Sequence, residues 1–503
     1  MLSIMKHLVK DPFRKAWKTV CSYSTTTPKE ARELGSLEEG NAFGETFGQP
    51  TPLTHPHLLA PGEVVTGVQR DEFIERRKTF IHNILQSSPK SNHMVIIPSA
   101  TRVYMSEKIP YVFRQNTDFL YLTGCLEPDC ALVLTVSQDN DAMSTLFIRK
   151  KDKRAEKWDG PRTGVEGAVN LFGVDQALPF TELNKFLSFY AKTCNKFTLW
   201  YDFLSCIHPE VHAVLKSFSS SAAKAVESPK PIIHQQRLIK SPAEQKLMAK
   251  TCEIASKGMI NTIAATKPGI TEHVLFAKMD FECRANGADF LAYPPVVAAG
   301  NNANIIHYIS NLQKTEAGEM VLMDAGCSVS GYCSDLTRTW PVSGEFTNSQ
   351  RVLYEIVLET QQQLISLCHS EYSLDHLFNV MCHILGQKLI EAGVFKNSVD
   401  KDHPSKMAYD LCPHHASHYL GMDVHDTGTV SRNIAMKPGM VLTVEPGLYI
   451  ADNDSVVREE FRGQGIRIED NILITASDPV VLTGSCPKEV EIVQKLVSSN
   501  FCT

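Results

Sequence analysis

The stretch VLMDAGCSVSGYCSDLTRTWP, Val321–Pro341, decides how this chain folds. It reads as a β-hairpin whose two strands each present one carboxylate. Val321, Met323 and Ala325 alternate with Asp324, which places that acid among apolar residues on a buried strand. Gly326 and Gly331 bracket a short turn. On the return strand Asp335, Thr337 and Thr339 share one face. Two buried carboxylates that reach the same point repel, so one takes up a proton or a cation neutralises them. Two isolated aspartates would more simply be a turn residue and an exposed strand residue. Matching partners elsewhere in the chain favour half of a metal site.

Three later segments supply those partners. PHHASHYLGMDVHD sets His414, His418 and His425 close together. A lone histidine is more often a core or surface residue than a ligand, but three in one short segment weigh the other way. In VLTVEPGLYI, Glu445 interrupts an apolar strand just before Pro446-Gly447, a costly place for an uncompensated charge. In GIRIEDNILIT, Arg467, Glu469 and Asn471 share one strand face while Ile466 and Ile468 face the other way. Arg467 beside a ligand carboxylate is a natural hydrogen-bonding support for it. Asp324, Asp335, His418, Glu445 and Glu469 are together too many ligands for one zinc and too acidic for a structural zinc site. They suit two hard divalent ions sharing carboxylates, Mn2+ or Co2+ rather than a thiolate-seeking metal. A pair of such ions about 4 Å apart activates a bridging water and polarises the carbonyl it attacks, which is hydrolytic chemistry.

The half of the chain that holds these residues contains an internal echo. Ser241-Pro242-Ala243-Glu244 is a helix start with a cap, a proline in the first turn and a glutamate at the capping-box position. That helix is expected to run to Ala265, with a second from Thr271 to Ala285. Thr347–Gln350 repeats the spacing about a hundred residues later. It opens a helix to Cys368, followed by another over Ser373–Ala392. A duplicated α+β unit would pack its two sheets around a shared cleft.

The preceding half reads as a separate α/β domain from Thr66 onward. An amphipathic helix, RDEFIERRKTFIHNILQ, precedes the strand MVIIP, and further strands are expected at FLYLTG, CALVLTV, STLFIRK and FTLWYD. Helices are expected near Glu182–Ala191 and Pro209–Phe218. Neither a glycine-rich phosphate loop nor a nucleophile elbow occurs there. SPKPIIHQQRLIKSPAE marks the boundary. Residues 48–65 form a strap rich in proline (Pro50, Pro52, Pro56, Pro61). The expected domains are therefore 1–47, 48–65, 66–234 and 235–503.

The first thirty residues differ from the rest. Lys6, Lys10, Arg14, Lys15 and Lys18 are opposed only by Asp11 before Glu30. With the hydroxyl-rich SYSTTT, this composition suits a mitochondrial transit peptide, and a later start would leave a shorter cytosolic form. A net charge of −6 gives no reason to expect nucleic acid. No apolar run approaches the roughly 18 residues that cross a membrane. The 14 cysteines are scattered without a C-x-x-C pair, as buried thiols of a reducing compartment would be.

In order and spacing, VLMDAGCSVSGYCSDLTRTWPV, PHHASHYLGMDVHD, TVEPGLY and GIRIED resemble the five-ligand signature of the pita-bread metallopeptidases. Within them the chain is similar to the Xaa-Pro aminopeptidases. The resemblance extends to YPPVVAAGNNANIIHYISN and RQNTDFLYLTGCLEPDCALVL. GQPTPLTHPHLLAPGE is like the mitochondrial-type members and their intermediate-cleaving relatives.

The resemblance implies a three-layer α/β amino-terminal domain followed by a pseudo-symmetric pita-bread catalytic domain. It implies a homodimer and two Mn2+ per active site, with Co2+ or Zn2+ as alternatives. Asp324 and Asp335 would bind one ion, with Asp335 bridging to the second. His418 and Glu445 would complete the ligand set of the second ion, and Glu469 would bridge. Glu445 is also the implied proton shuttle. His307 and His425 match histidines near the scissile carbonyl, while His414 and Tyr293 match substrate-pocket positions. Asp118 and Trp158 match amino-terminal-domain positions near the cleft.

Peptides with proline in the second position are the implied substrates. A dipeptidase on Xaa-Pro, or a peptidase trimming imported precursors, would share the same metal set. A non-catalytic binding protein on this fold would be expected to lack several ligands, and all five are present.

Overall fold

A computed structural model describes residues 46–89, 91–221 and 225–498. The targeting segment expected over residues 1–47 lies outside them except for its last two positions. The chain divides into two compact units between Gln236 and Arg237.

The first unit is built on a six-stranded mixed sheet. Its order is Ala225–Glu227, Thr198–Trp200, His93–Pro98, Ala131–Val136, Ala142–Ile148 and Gln176–Pro179. The strand His93–Pro98 is buried throughout, pairing antiparallel with Ala131–Val136 and parallel with Thr198–Trp200. Helices Leu183–Thr193 and Pro209–Ser221 contribute Phe186, Leu187, Tyr190, Val211 and Leu215 to a core shared with Met94, Ile96, Val133 and Phe147.

The expected strand at FLYLTG is a helix, Thr117–Thr123. Asn116 caps it by accepting from the Asp118 backbone N–H, and Gly124 ends it at φ +69°. Phe119 to Thr123 are all buried, so no periodicity separated helix from strand, and the cap and the terminal glycine decided. The proline-rich strap is mostly turns and ends in the short strand Glu63–Val65. It is pinned by Gln49, whose amide donates to the Val64 and Gly124 carbonyls and accepts from the Leu126 N–H.

In the second unit both helix pairs form. They are α1 (Pro242–Ala264) with α2 (Glu272–Ala285), and α3 (Asn348–Ser366) with α4 (Leu374–Glu391). The capping boxes of Ser241 with Glu244 and of Thr347 with Gln350 are both closed.

The strands of the first repeat are β1 (Val296–Ala299), β2 (Met320–Asp324), β3 (Cys327–Val329), β4 (Tyr332–Cys333) and β5 (Thr337–Pro341). Those of the second are β6 (Val441–Val444), β7 (Gly447–Ile450), β8 (Gln464–Arg467), β9 (Asp470–Leu473) and β10 (Val480–Val481). Antiparallel sheets β1-β2-β5 and β6-β9-β10 echo each other, one per repeat.

The Val321–Pro341 stretch is more folded than one hairpin. β2 pairs with β5, while β3 and β4 turn out between them around Ser330 and Gly331. Both turn residues have positive φ, +50° and +85°, the hairpin turn that follows strand twist. A Cβ on Gly326 would lie 1.8 Å from the Ser334 carbonyl oxygen, so the chain can cross itself only with glycine there. Asp335 consequently lies in the link before β5 and not on the strand with Thr337 and Thr339.

Candidate metal centre

Four carboxylates and an imidazole meet where these strands end. Asp324 closes β2, its Oδ2 accepting from Arg467 Nη2 at 2.7 Å. The Tyr293 hydroxyl lies 2.5 Å from Asp324 Oδ1 and 2.5 Å from Asp335 Oδ1. Burial holds that phenol well above its usual pKa, so it stays a donor with one proton for two carboxylates. The Asp335 main chain is held by Asn471 of β9. Glu469, in the link between β8 and β9, accepts from Thr337 Oγ1 at 2.7 Å through Oε2. Its Oε1 is buried with no hydrogen-bond partner.

His418 completes the group. Its Nδ1 donates to the Tyr419 carbonyl at 3.1 Å, which leaves Nε2 facing Asp335 Oδ2 at 3.3 Å and Glu445 Oε1 at 3.6 Å. Ligand atoms of Asp335, His418 and Glu469 all lie within 4.8 Å of one another. A lone pair aimed at two carboxylates is stable only with positive charge between them.

The electrostatics agree. Burial, reinforced by Asp335 and Glu445, pushes Glu469 well above the carboxylate range, and burial raises Glu445 to about 7. Against its own burial, His418 is raised to about 9 by Asp335 and Glu445. The orphaned Glu469 oxygen, the shared tyrosine proton and the acid-rich donor set fit divalent cations.

Arg467 supports the site differently from the sequence expectation. It bonds Asp324 instead of Glu469, and its Nη1 donates to the Tyr449 hydroxyl at 2.7 Å. Tyr449 was not singled out from sequence, although a phenol between Leu448 and Ile450 on an apolar strand was a legible signal. Its hydroxyl accepts from Arg467, so its own proton goes to His414 Nε2 at 2.8 Å. His414 Nδ1 then carries the ring proton and donates to the His415 carbonyl at 2.9 Å. Burial, with Arg467, lowers His414 to about 4, so the ring is neutral with both nitrogens hydrogen-bonded.

His425 packs edge-on against His418, ring centroids 4.5 Å apart. His307 is exposed on a turn. Asp118 and Trp158 belong to the first unit. There Asp118 faces His234 Nε2 at 4.0 Å, and Trp158 is exposed.

Residues 246–476 match Metallopeptidase family M24, and residues 73–200 match the Aminopeptidase P, N-terminal domain. Xaa-Pro aminopeptidase 3 of Rattus norvegicus is 44% identical over 462 residues, covering 90% of each chain. The mitochondrial Intermediate cleaving peptidase 55 of Arabidopsis thaliana is 38% identical over 457 residues, covering 91% of this chain and 88% of the relative. Aminopeptidase P from Escherichia coli, solved with the inhibitor Pro-Leu, is 34% identical with a TM-score of 0.80. That match covers 87% of this chain and all of the solved one. The likeness runs through both units and through the strands that carry the acids, and on it the chain belongs to the Xaa-Pro aminopeptidase family of M24 metallopeptidases.

Proposed function

We propose that this chain is a dinuclear-metal aminopeptidase that releases the amino-terminal residue from peptides with proline in the second position. The observation that carries the reading is the convergence of Asp324, Asp335, His418, Glu445 and Glu469, with Glu469 Oε1 buried and unpartnered. Asp324 and Asp335 would hold one cation, His418 and Glu445 the other, and Asp335 and Glu469 would be shared. Bound there, two divalent cations neutralise the acids, activate water and polarise a carbonyl.

The chain's own residues do the rest. The Glu445 carboxylate, beside His418, is the proton shuttle of the site. The imidazoles of His425 and His307 would donate to a developing oxyanion or to the leaving proline nitrogen. Proline's nitrogen lacks a hydrogen and its ring fixes φ, so the bond before it fits ordinary peptidases poorly. Edges of His414 and Tyr293 offer packing for that ring. Asp335 is the nearest acid for the substrate's amine, which restricts cleavage to the first bond.

Mn2+ is the proposed ion, ahead of Co2+ and Zn2+, because the donors are oxygen-rich and lack thiolate. A mitochondrial location is supported by the basic, acid-poor start and by the likeness to the mitochondrial peptidase of Arabidopsis thaliana. A reporter fused to residues 1–50 should enter mitochondria, and one left in the cytosol refutes that. A homodimer is supported by the exposed apolar run Val103, Tyr104, Met105, Ile109, Tyr111 and Val112 in the first unit. Light scattering tests it, with a dimer mass expected.

The same relative favours a second reading, trimming of imported precursors. Measured kcat/KM for Xaa-Pro, Xaa-Pro-Yaa and Xaa-Ala-Yaa peptides separates these possibilities. The Xaa-Pro-Yaa peptides should lead. Preference for the dipeptide makes a dipeptidase, and indifference to proline makes a general trimming enzyme.

A further inference from the structure

His425 sits in a loop held in a conformation that costs free energy. Two residues on, Thr427 is 1% exposed and has φ +49°, a left-handed value that a β-branched residue adopts only under constraint. The loop closes on itself beside His418, where the Asp426 N–H donates to the Tyr419 carbonyl at 2.9 Å.

What holds it is a buried ion cluster. The Asp426 carboxylate accepts from Arg237 Nη2 at 2.5 Å through Oδ1 and from Lys240 Nζ at 3.1 Å through Oδ2. Arg237 Nη2 also reaches Asp423 Oδ2 at 2.9 Å, so one cation grips the loop on both sides of His425. Arg237, Lys240 and Asp426 are all at most 4% exposed. A Cβ at Gly421 would sit 2.3 Å from Asp426 Oδ2, so the carboxylate lies directly over the loop's own backbone. Lys240 is itself fixed, its N–H donating to the Gly439 carbonyl and its carbonyl accepting from Gln245 Nε2, both at 2.8 Å. Two buried cations face one buried acid, Asp426, with the partly exposed Asp423 as a second partner of Arg237, so removal of either side disturbs the buried charge.

We infer that Arg237 and Lys240 are positioning residues for His425, acting through Asp426 to hold the strained Tyr419–Thr427 loop so that the imidazole meets the His418 ring. The inference rests on the proposed role of His425. The competing view is that the cluster serves stability alone.

A double-mutant cycle on the full-length, metal-loaded enzyme decides between them. His425→Ala alone should lower kcat by about 10²–10³-fold, and an unchanged kcat overturns the role of His425 and this inference with it. Lys240→Met and Arg237→Lys should each lower kcat about 10-fold, with KM and bound metal little changed. In the His425→Ala background the same substitutions should cost less than about twofold. Equal losses in both backgrounds, or loss of bound metal in place of turnover, overturn the inference while leaving the role of His425 standing. If Lys240→Met does not fold, Arg237→Lys, which keeps a cation opposite Asp426, carries the same reading.

Discussion

Asn471 grips Asp335 by both ends of its amide. Oδ1 accepts the Asp335 N–H at 3.0 Å, and Nδ2 donates to the Asp335 carbonyl. The bond joins β9 of the second repeat to the link before β5 of the first, with the partners 136 residues apart in sequence. It sets where Asp335 stands without touching its carboxylate.

Asn471→Ala removes both bonds and leaves the aspartate main chain unpaired inside the protein. Metal affinity, measured by competition with a chelator, should fall about 10–100-fold. Affinity equal to the parent would show that the strands alone position Asp335.

Glu445→Gln keeps size and shape but removes the carboxylate that burial raises to about 7. Turnover should be abolished while circular dichroism and thermal unfolding remain near the parent. Retained turnover would remove Glu445 from proton transfer.

Metal removal should stop catalysis and also destabilise the second unit, because Glu445 and the buried Glu469 then face Asp335 with His418 offsetting only part of their charge. Dialysis against chelator followed by Mn2+ should restore both activity and melting temperature, Mn2+ at least as well as Zn2+. Full activity in a rigorously metal-free sample contradicts the site.

Asp470 supplies an acid limb to stability. It is buried, yet Arg338, Lys488 and Gln361 hold its carboxyl down at about 2. A pKa below the unfolded value means that the unfolded state binds more protons, so stability rises with pH across that window. The contribution is complete above about pH 4 and lost as pH falls through about 2. It is worth roughly 2 kcal/mol. Urea unfolding in chelator at pH 4.5 and 2.5 should show this loss in the parent and a flatter limb in Asp470→Asn. Identical slopes would place the acid sensitivity elsewhere.

Much of the site was written locally. Strand alternation isolates Asp324 among apolar neighbours, and apolar context makes Glu445 conspicuous. The paired capping boxes of Ser241 and Thr347 announce the duplicated unit, because a cap is a relation among four adjacent residues. FLYLTG shows the limit of such reading, since a short run buried on every side carries no period.

The sequence by itself therefore singled out the four acids and the histidine that converge, and the repeat to which each belongs. These follow from side-chain type and from spacings of two to four residues, which backbone geometry converts directly into faces and caps. Only the tertiary structure decided whom each polar group meets. Arg467 turns to Asp324, 143 residues away, instead of its neighbour Glu469. Tyr449 fixes the proton on His414, and Arg237 reaches across 189 residues to Asp426. A buried polar group must pair with whatever packing brings within about 3 Å, and packing depends on every strand at once.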